Sequence, residues 1–161
     1  MISGKNIKMQ DQAPFPVAKG SIVFGRLIID WQEIKPPIDT IDRLDSMKLI
    51  VMNQVSGKFY QIVCERGGRD SEFSAALPVG KYRVTKWEKG KNSRNMFEAF
   101  EVGAGQIRYI GTLRWFRGFF TAVQGNLTIE DSFEEETGLF KKNYPDAHGQ
   151  IEKAMMRSAQ N

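Results

Sequence analysis

Apolar residues in this chain recur mostly at every second position, in short runs broken by glycine, proline and polar pairs, which is the pattern of half-buried strands. The run Ile22, Val23, Phe24, Leu27, Ile28 and Ile29, between Gly20 and Asp30, is apolar on both faces and predicts a central or doubly covered strand. Lys35-Pro36-Pro37 and the acids Asp39, Asp42 and Asp45 interrupt pairing and predict a long loop. Met47–Val55 and Lys58–Glu65 then read as strands, with Ser56-Gly57 giving the two-residue spacing of a hairpin. Gly67-Gly68-Arg69-Asp70 is a turn into a short strand from Glu72 to Leu77.

Two turn-and-strand units follow. In Leu77-Pro78-Val79-Gly80-Lys81-Tyr82-Arg83-Val84, Pro78 fixes its own φ, Gly80 supplies a positive one, and Tyr82 and Val84 alternate with charged residues. That strand runs to Glu88, and Lys89-Gly90-Lys91-Asn92-Ser93 reads as an exposed basic tip before Met96–Val102 returns. The second unit, Gly103-Ala104-Gly105 followed by Gln106–Trp115, predicts Ile107, Tyr109, Gly111, Leu113 and Trp115 on one face. Gln106, Arg108, Thr112 and Arg114 fall on the other. Phe119–Val123 and Asn126–Glu130 add a strand or two around Gln124-Gly125.

The character changes at Asp131. Ser132 and Glu135 have capping-box spacing, Glu134–Glu136 suit a helix N-terminus, and Lys141 and Lys142 suit its C-terminal end. A helix from about Phe133 to Asn143 is predicted, with Phe133, Phe140 and Tyr144 near one face and Pro145 as its stop. Ile151, Ala154 and Met155 predict a short second helix. The expected organisation is a flexible tether over 1–19, a β-sandwich over 20–130 and a helical extension over 131–161 packed on it.

Composition adds limits more than functions. With 161 residues, 41% of them apolar, the chain is large enough to bury a core, and no apolar run reaches the roughly 20 residues of a membrane span. The net charge of +4 is spread among nineteen acids, which fits solubility better than a nucleic-acid footprint. The single cysteine, Cys64, excludes an intrachain disulfide, and its spacing from Tyr60 and Ile62 puts it on their strand face as a small hydrophobe. Met1–Asn6 has no apolar stretch of a secretory leader, so two expectations stand: a cytoplasmic protein, or a cell-envelope protein with a membrane tether through an N-terminal lipid if an export signal preceding Ile2 has been removed.

No arrangement with catalytic spacing is found, and no metal or cofactor is expected. The acids Glu130-Asp131 and Glu134–Glu136 are explained by a helix start, and Asp39, Asp42 and Asp45 lack the alternation of a calcium loop. His148 has no second histidine with which to share a metal. Gly103-Ala104-Gly105 lacks the third glycine and following helix of a dinucleotide fingerprint. Asn126-Leu127-Thr128 is a formal glycosylation acceptor inside a strand. The segment with most binding character is Arg114-Trp115-Phe116-Arg117-Gly118-Phe119-Phe120. Consecutive aromatics on a strand point to both faces, so some must leave the core unless both faces are covered, and Trp115, Phe116, Arg117, Phe119 and Phe120 form a candidate partner-binding or membrane-interface surface.

The Leu-Pro-Val-Gly-Lys-Tyr-Arg-Val turn, the Gly-Ala-Gly-Gln-Ile-Arg-Tyr-Ile-Gly-Thr-Leu strand, Asn126–Asp131 and the acidic helix ending in Tyr144-Pro145 resemble bacterial envelope lipoprotein domains with transthyretin-like or carboxypeptidase-regulatory-like sandwiches. The resemblance covers roughly 20–157. It implies a cell-envelope location, no enzymatic activity and a role in surface architecture or partner binding. The expectation is therefore a mainly β, antiparallel β-sandwich, immunoglobulin- or transthyretin-like, with one or two short C-terminal helices, acting without catalysis on another envelope protein or by self-association. A nucleic-acid module using Lys89, Lys91, Arg94, Arg108 and Arg114 is the alternative, and an envelope-polymer hydrolase working through the acids near Asp131 is a weaker one.

Overall fold

The structure, a computed structural model, describes residues 4–7, 21–31, 46–117, 126–147 and 149–158, with the side chains of 4–7, 31 and 117 not described. Its strands are β1 (Gly4–Ile7), β2 (Ser21–Trp31), β3 (Ser46–Asn53), β4 (Phe59–Gly67), β5 (Asp70–Leu77) and β6 (Gly80–Lys89). They continue with β7 (Asn92–Asn95), β8 (Glu98–Val102), β9 (Ile107–Arg117), β10 (Asn126–Glu130), β11 (Ile151–Lys153) and β12 (Arg157–Ser158). Between β10 and β11 lies one helix, α1 (Phe133–Asn143).

The strands form two sheets. One runs β1-β4-β3-β6-β8-β12 with β7 beside β6, and the other β10-β9-β2-β5 with β11 beside β9. Pairing is mainly antiparallel, but β1 with β4, β2 with β9 and β11 with β9 are parallel, so both sheets are mixed rather than purely antiparallel. Gly4–Ile7, in the stretch expected to tether the domain, is the strand alongside β4. The second predicted helix is corrected: Ile151–Lys153 pairs with Ile107–Tyr109, and Ala154 and Met156 donate to the carbonyls of Tyr109 and Ile110 at 2.9 Å. Three apolar residues at helical spacing are too few to stabilise a helix when an open strand edge offers the same backbone partners.

Between the sheets sits the main core, in which Val23, Leu27 and Ile29 of β2 meet Met47, Leu49, Val51, Tyr82, Val84 and Trp87 of the opposite sheet. Trp87 and Trp115 meet edge to face across it with ring centroids 5.1 Å apart. Cys64 is buried there with Tyr60 and Ile62, as the alternation predicts, and burial pushes its thiol pKa up, the negative charges of Glu65 and Glu72 adding to the effect. A second cluster lies outside, where Ile22, Phe24, Ile107 and Tyr109 are covered by Phe140 of α1, with Phe133 and Tyr144 against it. β2 is thus covered on both faces, as its sequence predicts.

Two bulges change the predicted faces. On β9, Phe24 of β2 is opposite Tyr109 but Arg26 is opposite Thr112, so β9 carries one extra residue between them. Gly111 sits there with φ +122°, and a Cβ on the facing Gly25 would lie 2.3 Å from the Gly111 carbonyl oxygen. Ile107 and Tyr109 therefore face the helix, whereas Leu113 and Trp115 face the inter-sheet core. On β6, Ile50 pairs with Lys86 and Val51 with Val84, leaving Thr85 as the extra residue. The inward set passes from Tyr82 and Val84 to Trp87 and Lys89. Lys89, expected on an exposed basic tip, is consequently only 3% exposed.

Turn chemistry accounts for the rest. The β3–β4 connection is longer than the predicted two residues: Asn53 Oδ1 accepts from the N–H groups of Val55 and Ser56 at 3.0 Å, and Gly57 takes φ +72°. Tyr82 Oη donates to the Pro78 carbonyl at 2.6 Å, locking the turn that enters β6. At the start of α1 the predicted Ser132 cap makes no side-chain bond; Asp131 Oδ1 accepts from Phe133 N–H at 3.1 Å instead.

Candidate functional site

The aromatic segment begins on a strand held from both sides. Phe116 of β9 is registered with Asp30 of β2 and with Asn126 of β10, and Arg117 with Trp31. Trp115 is a core residue, 2% exposed, so it roots this end of β9 rather than lying on its surface. Phe116, the next residue and therefore on the opposite face, is half-buried. The Arg117 side chain, and Phe119 and Phe120 entirely, lie outside the described residues, as do His148 and the acids Asp39, Asp42 and Asp45.

At the opposite end of β9 the C-terminal chain crosses from one sheet to the other. β11 pairs with β9, and β12 pairs with β8 through Arg157 opposite Ala99 and Ser158 opposite Glu98. Where it crosses, it borders a groove of about 650 Å³. Its floor includes Phe100, Ala154, Met155 and Met156, and its walls carry Lys81, Arg108, Lys153 and Arg157 with Glu101 as the acid. Arg108 Nη1 donates to the Glu101 carbonyl at 2.9 Å, and its Nε lies 3.5 Å from Glu152 Oε2.

The acids near the helix start do structural work. Asp131 takes the Lys153 ammonium at 2.6 Å as well as the Phe133 N–H, and these two bonds hold its carboxyl below the ordinary carboxylate range. Its shallow surroundings, shared with Glu134, Glu135 and Lys153, are open to solvent. Glu136 is different: it is buried and accepts from Arg26 Nε, while Arg26 Nη1 donates to Asp70 at 2.6 Å. Burial raises the Glu136 carboxyl above its ordinary range despite Arg26. Burial opposes the Arg26 charge too, but its bonds to Glu136 and Asp70 outweigh that and raise its pKa. Beside them Arg114 Nε donates to Glu130 at 2.9 Å. Sequence spacing marked Glu136 as a helix-dipole acid and missed Arg26 altogether. The signal was a lone arginine in an apolar run, whose side chain needs a buried partner.

The basic residues proposed for nucleic acid do not form one surface. Lys89, Lys91 and Arg94 belong to the β6–β7 hairpin of one sheet, and Arg108 and Arg114 to β9 of the other. Lys89 points inward, Arg94 lies 6.0 Å from the Trp115 ring centre, and Arg108 and Arg114 face Glu152 and Glu130. Among the described residues no group of three or more His, Cys, Asp or Glu side chains is placed to hold a metal ion, and no described helix is long and apolar enough to cross a membrane. No family model, curated protein or solved structure matches the chain.

Proposed function

We propose that this chain is a non-catalytic cell-envelope domain, an immunoglobulin- or transthyretin-like sandwich that binds a partner protein or joins a surface assembly through the end of its β9–β10 hairpin. The observation that carries this reading is Phe116. It stands on a strand laddered on both sides and rooted by Trp115, immediately before a connection bearing Phe119 and Phe120. An aromatic held on a rigid element loses little entropy on docking, which is what an interface anchor requires. The finer fold assignment is supported by the Tyr82 bond to the Pro78 carbonyl, a corner of the kind found in Greek-key sandwiches, and by the buried tryptophan pair between the sheets. The non-catalytic part is supported by Asp131, whose lowered pKa and ties to Lys153 and Phe133 suit an ion-paired cap better than a general acid. The envelope location rests on the family resemblance of the turn and strand motifs.

The test uses the native gene in its own cells. A photo-crosslinking amino acid at Phe116 is expected to give one discrete adduct in the envelope fraction, lost when Phe119 and Phe120 are both changed to alanine in a variant with unchanged thermal stability. Recovery of the protein in the cytosol without processing would overturn the envelope reading. An adduct that survives the double substitution would remove the hairpin.

A further inference from the structure

The C-terminal chain pairs with one sheet at a time. Residues 151–156 give their backbone bonds to β9, and among the described residues that follow, Arg157 and Ser158 pair with β8. Phe100 and Glu101 therefore have β6 on one side, where they pair with Tyr82 and Lys81, and the groove on the other. The Glu101 carbonyl accepts from Arg108, which lines that groove. In an extended residue the N–H points to the same side as its own carbonyl, so the Glu101 N–H also faces the groove.

We propose that this groove receives an extended, acidic segment of another polypeptide, which lies along β8 at Phe100 and Glu101, beyond Arg157, where β12 begins. Strand addition takes its affinity from main-chain bonds and its selectivity from alternate side chains. Phe100, Met155 and Met156 offer an apolar floor, and methionines adapt to varied partners. The charge of the rim chooses the partner's sign. Lys81 and Arg157 are exposed there, and the Lys81 contact to Glu101 is long, 3.8 Å between two solvated groups, so a carboxylate of the incoming strand competes with it at little cost. This site lies at the other end of β9 from Phe116 and requires neither the hairpin nor an envelope location.

The probes are a short peptide alternating valine with glutamate and its counterpart alternating valine with lysine, added to the purified chain and followed by fluorescence anisotropy and amide hydrogen exchange. The acidic peptide is expected to bind and to slow exchange at the Glu101 amide, and the basic one to do neither. The double variant Lys81→Glu with Arg157→Glu is expected to keep its far-ultraviolet circular dichroism and thermal midpoint while losing about tenfold in affinity for the acidic peptide. Equal binding of both peptides, binding without slowed exchange at Glu101, or an unchanged affinity in the double variant overturns the proposal. Failure of both peptides to bind overturns it as well, and leaves the hairpin reading to stand or fall on the Phe116 crosslink alone.

Discussion

The two faces of β2 have different organisation along one strand. Its odd residues Val23, Leu27 and Ile29 all enter the same apolar core between the sheets. Its even residues change character halfway: Ile22 and Phe24 lie under α1, whereas Arg26 meets Glu136 and Asp70. The inner face holds the sheets together through area alone, which is non-directional. The outer face also needs one particular placement of the helix, because Arg26 can satisfy a buried carboxylate in only a few geometries. Just beyond the other end of α1, Tyr144 donates to Glu65 of β4, which also accepts from Ser74 of β5 at 3.2 Å, so the helix is tied to β2 near its start and to the opposite sheet at its end. The apolar core sets the layers, and the polar ties set where the outer layer sits.

The contrast breaks first at the bulge that serves both faces. A methyl at Gly25 collides with the Gly111 carbonyl at 2.3 Å and with the Phe73 ring at 2.8 Å, neither of which has room to yield within a laddered sheet. Gly25→Ala is expected to cost about 4 kcal/mol in urea denaturation. Because the bulge phases both sets of side chains, the near-ultraviolet signal of the Trp87–Trp115 pair should change together with helix stability. A loss confined to one face would separate what the bulge couples.

The next effect should stay on the outer face. Phe140 is 4% exposed and stacks on Phe24 with ring centroids 4.6 Å apart. Phe140→Ala is expected to cost about 3 kcal/mol. Amide exchange in α1 should accelerate while the tryptophan signal of the inner core is preserved. An altered tryptophan signal in this variant would show that the two cores unfold as one.

Arg26→Met tests the polar half. It leaves Glu136 buried without its cation, at an expected cost of about 2 kcal/mol near neutral pH, moderated because the carboxyl can take up a proton. The sign follows from the Glu136 pKa, which burial raises above its unfolded value. A carboxyl of that kind favours the folded state when protonated, so the deficit should shrink as pH falls from about 7 to about 4. Urea midpoints for both proteins across that range read it directly. Adding Glu136→Leu should recover much of the loss, and no recovery would mean that Arg26 matters through Asp70 instead.

Much of this contrast was legible from residue order. The doubly apolar run at β2, the helix with its aromatic face and the interior cysteine all follow from periodicities that sum over many residues. What periodicity does not contain is an inserted residue. One bulge at Gly111 and another at Thr85 each shift the phase by one, which moves Ile107 and Tyr109 to the helix side and turns Lys89 inward. The exchange of the C-terminal chain between sheets was hidden for a related reason. It depends on which strand edges the rest of the fold leaves open, and a local pattern of three residues carries no record of them. The groove was illegible on the same ground, since its walls come from β6, β8, β9 and the last residues of the chain.

The smallest predicted effect concerns the fastening of that C-terminal chain. Asp131 joins the start of α1 to Lys153 of β11, and both groups are solvent-facing, so the tie adds little at neutral pH. Its pH signature is more distinctive than its size. The Asp131 pKa is lowered, first by the Lys153 bond and then by the Phe133 N–H, so its contribution is present above the unfolded carboxylate pKa and lost as pH falls through the folded one. The Lys153 pKa is raised by the same bond, so its contribution is complete below the unfolded lysine pKa and lost as pH rises through the folded value. Asp131→Asn should therefore flatten both limbs of the stability profile slightly and converge with the parent chain in strong acid, where neither carries a charge at this position. Amide exchange at Ala154 and Met156 should quicken in the same variant, because their bonds to β9 begin one residue beyond Lys153. Unchanged exchange there would mean that β11 is held by its ladder alone, and that the wall of the groove does not depend on the helix.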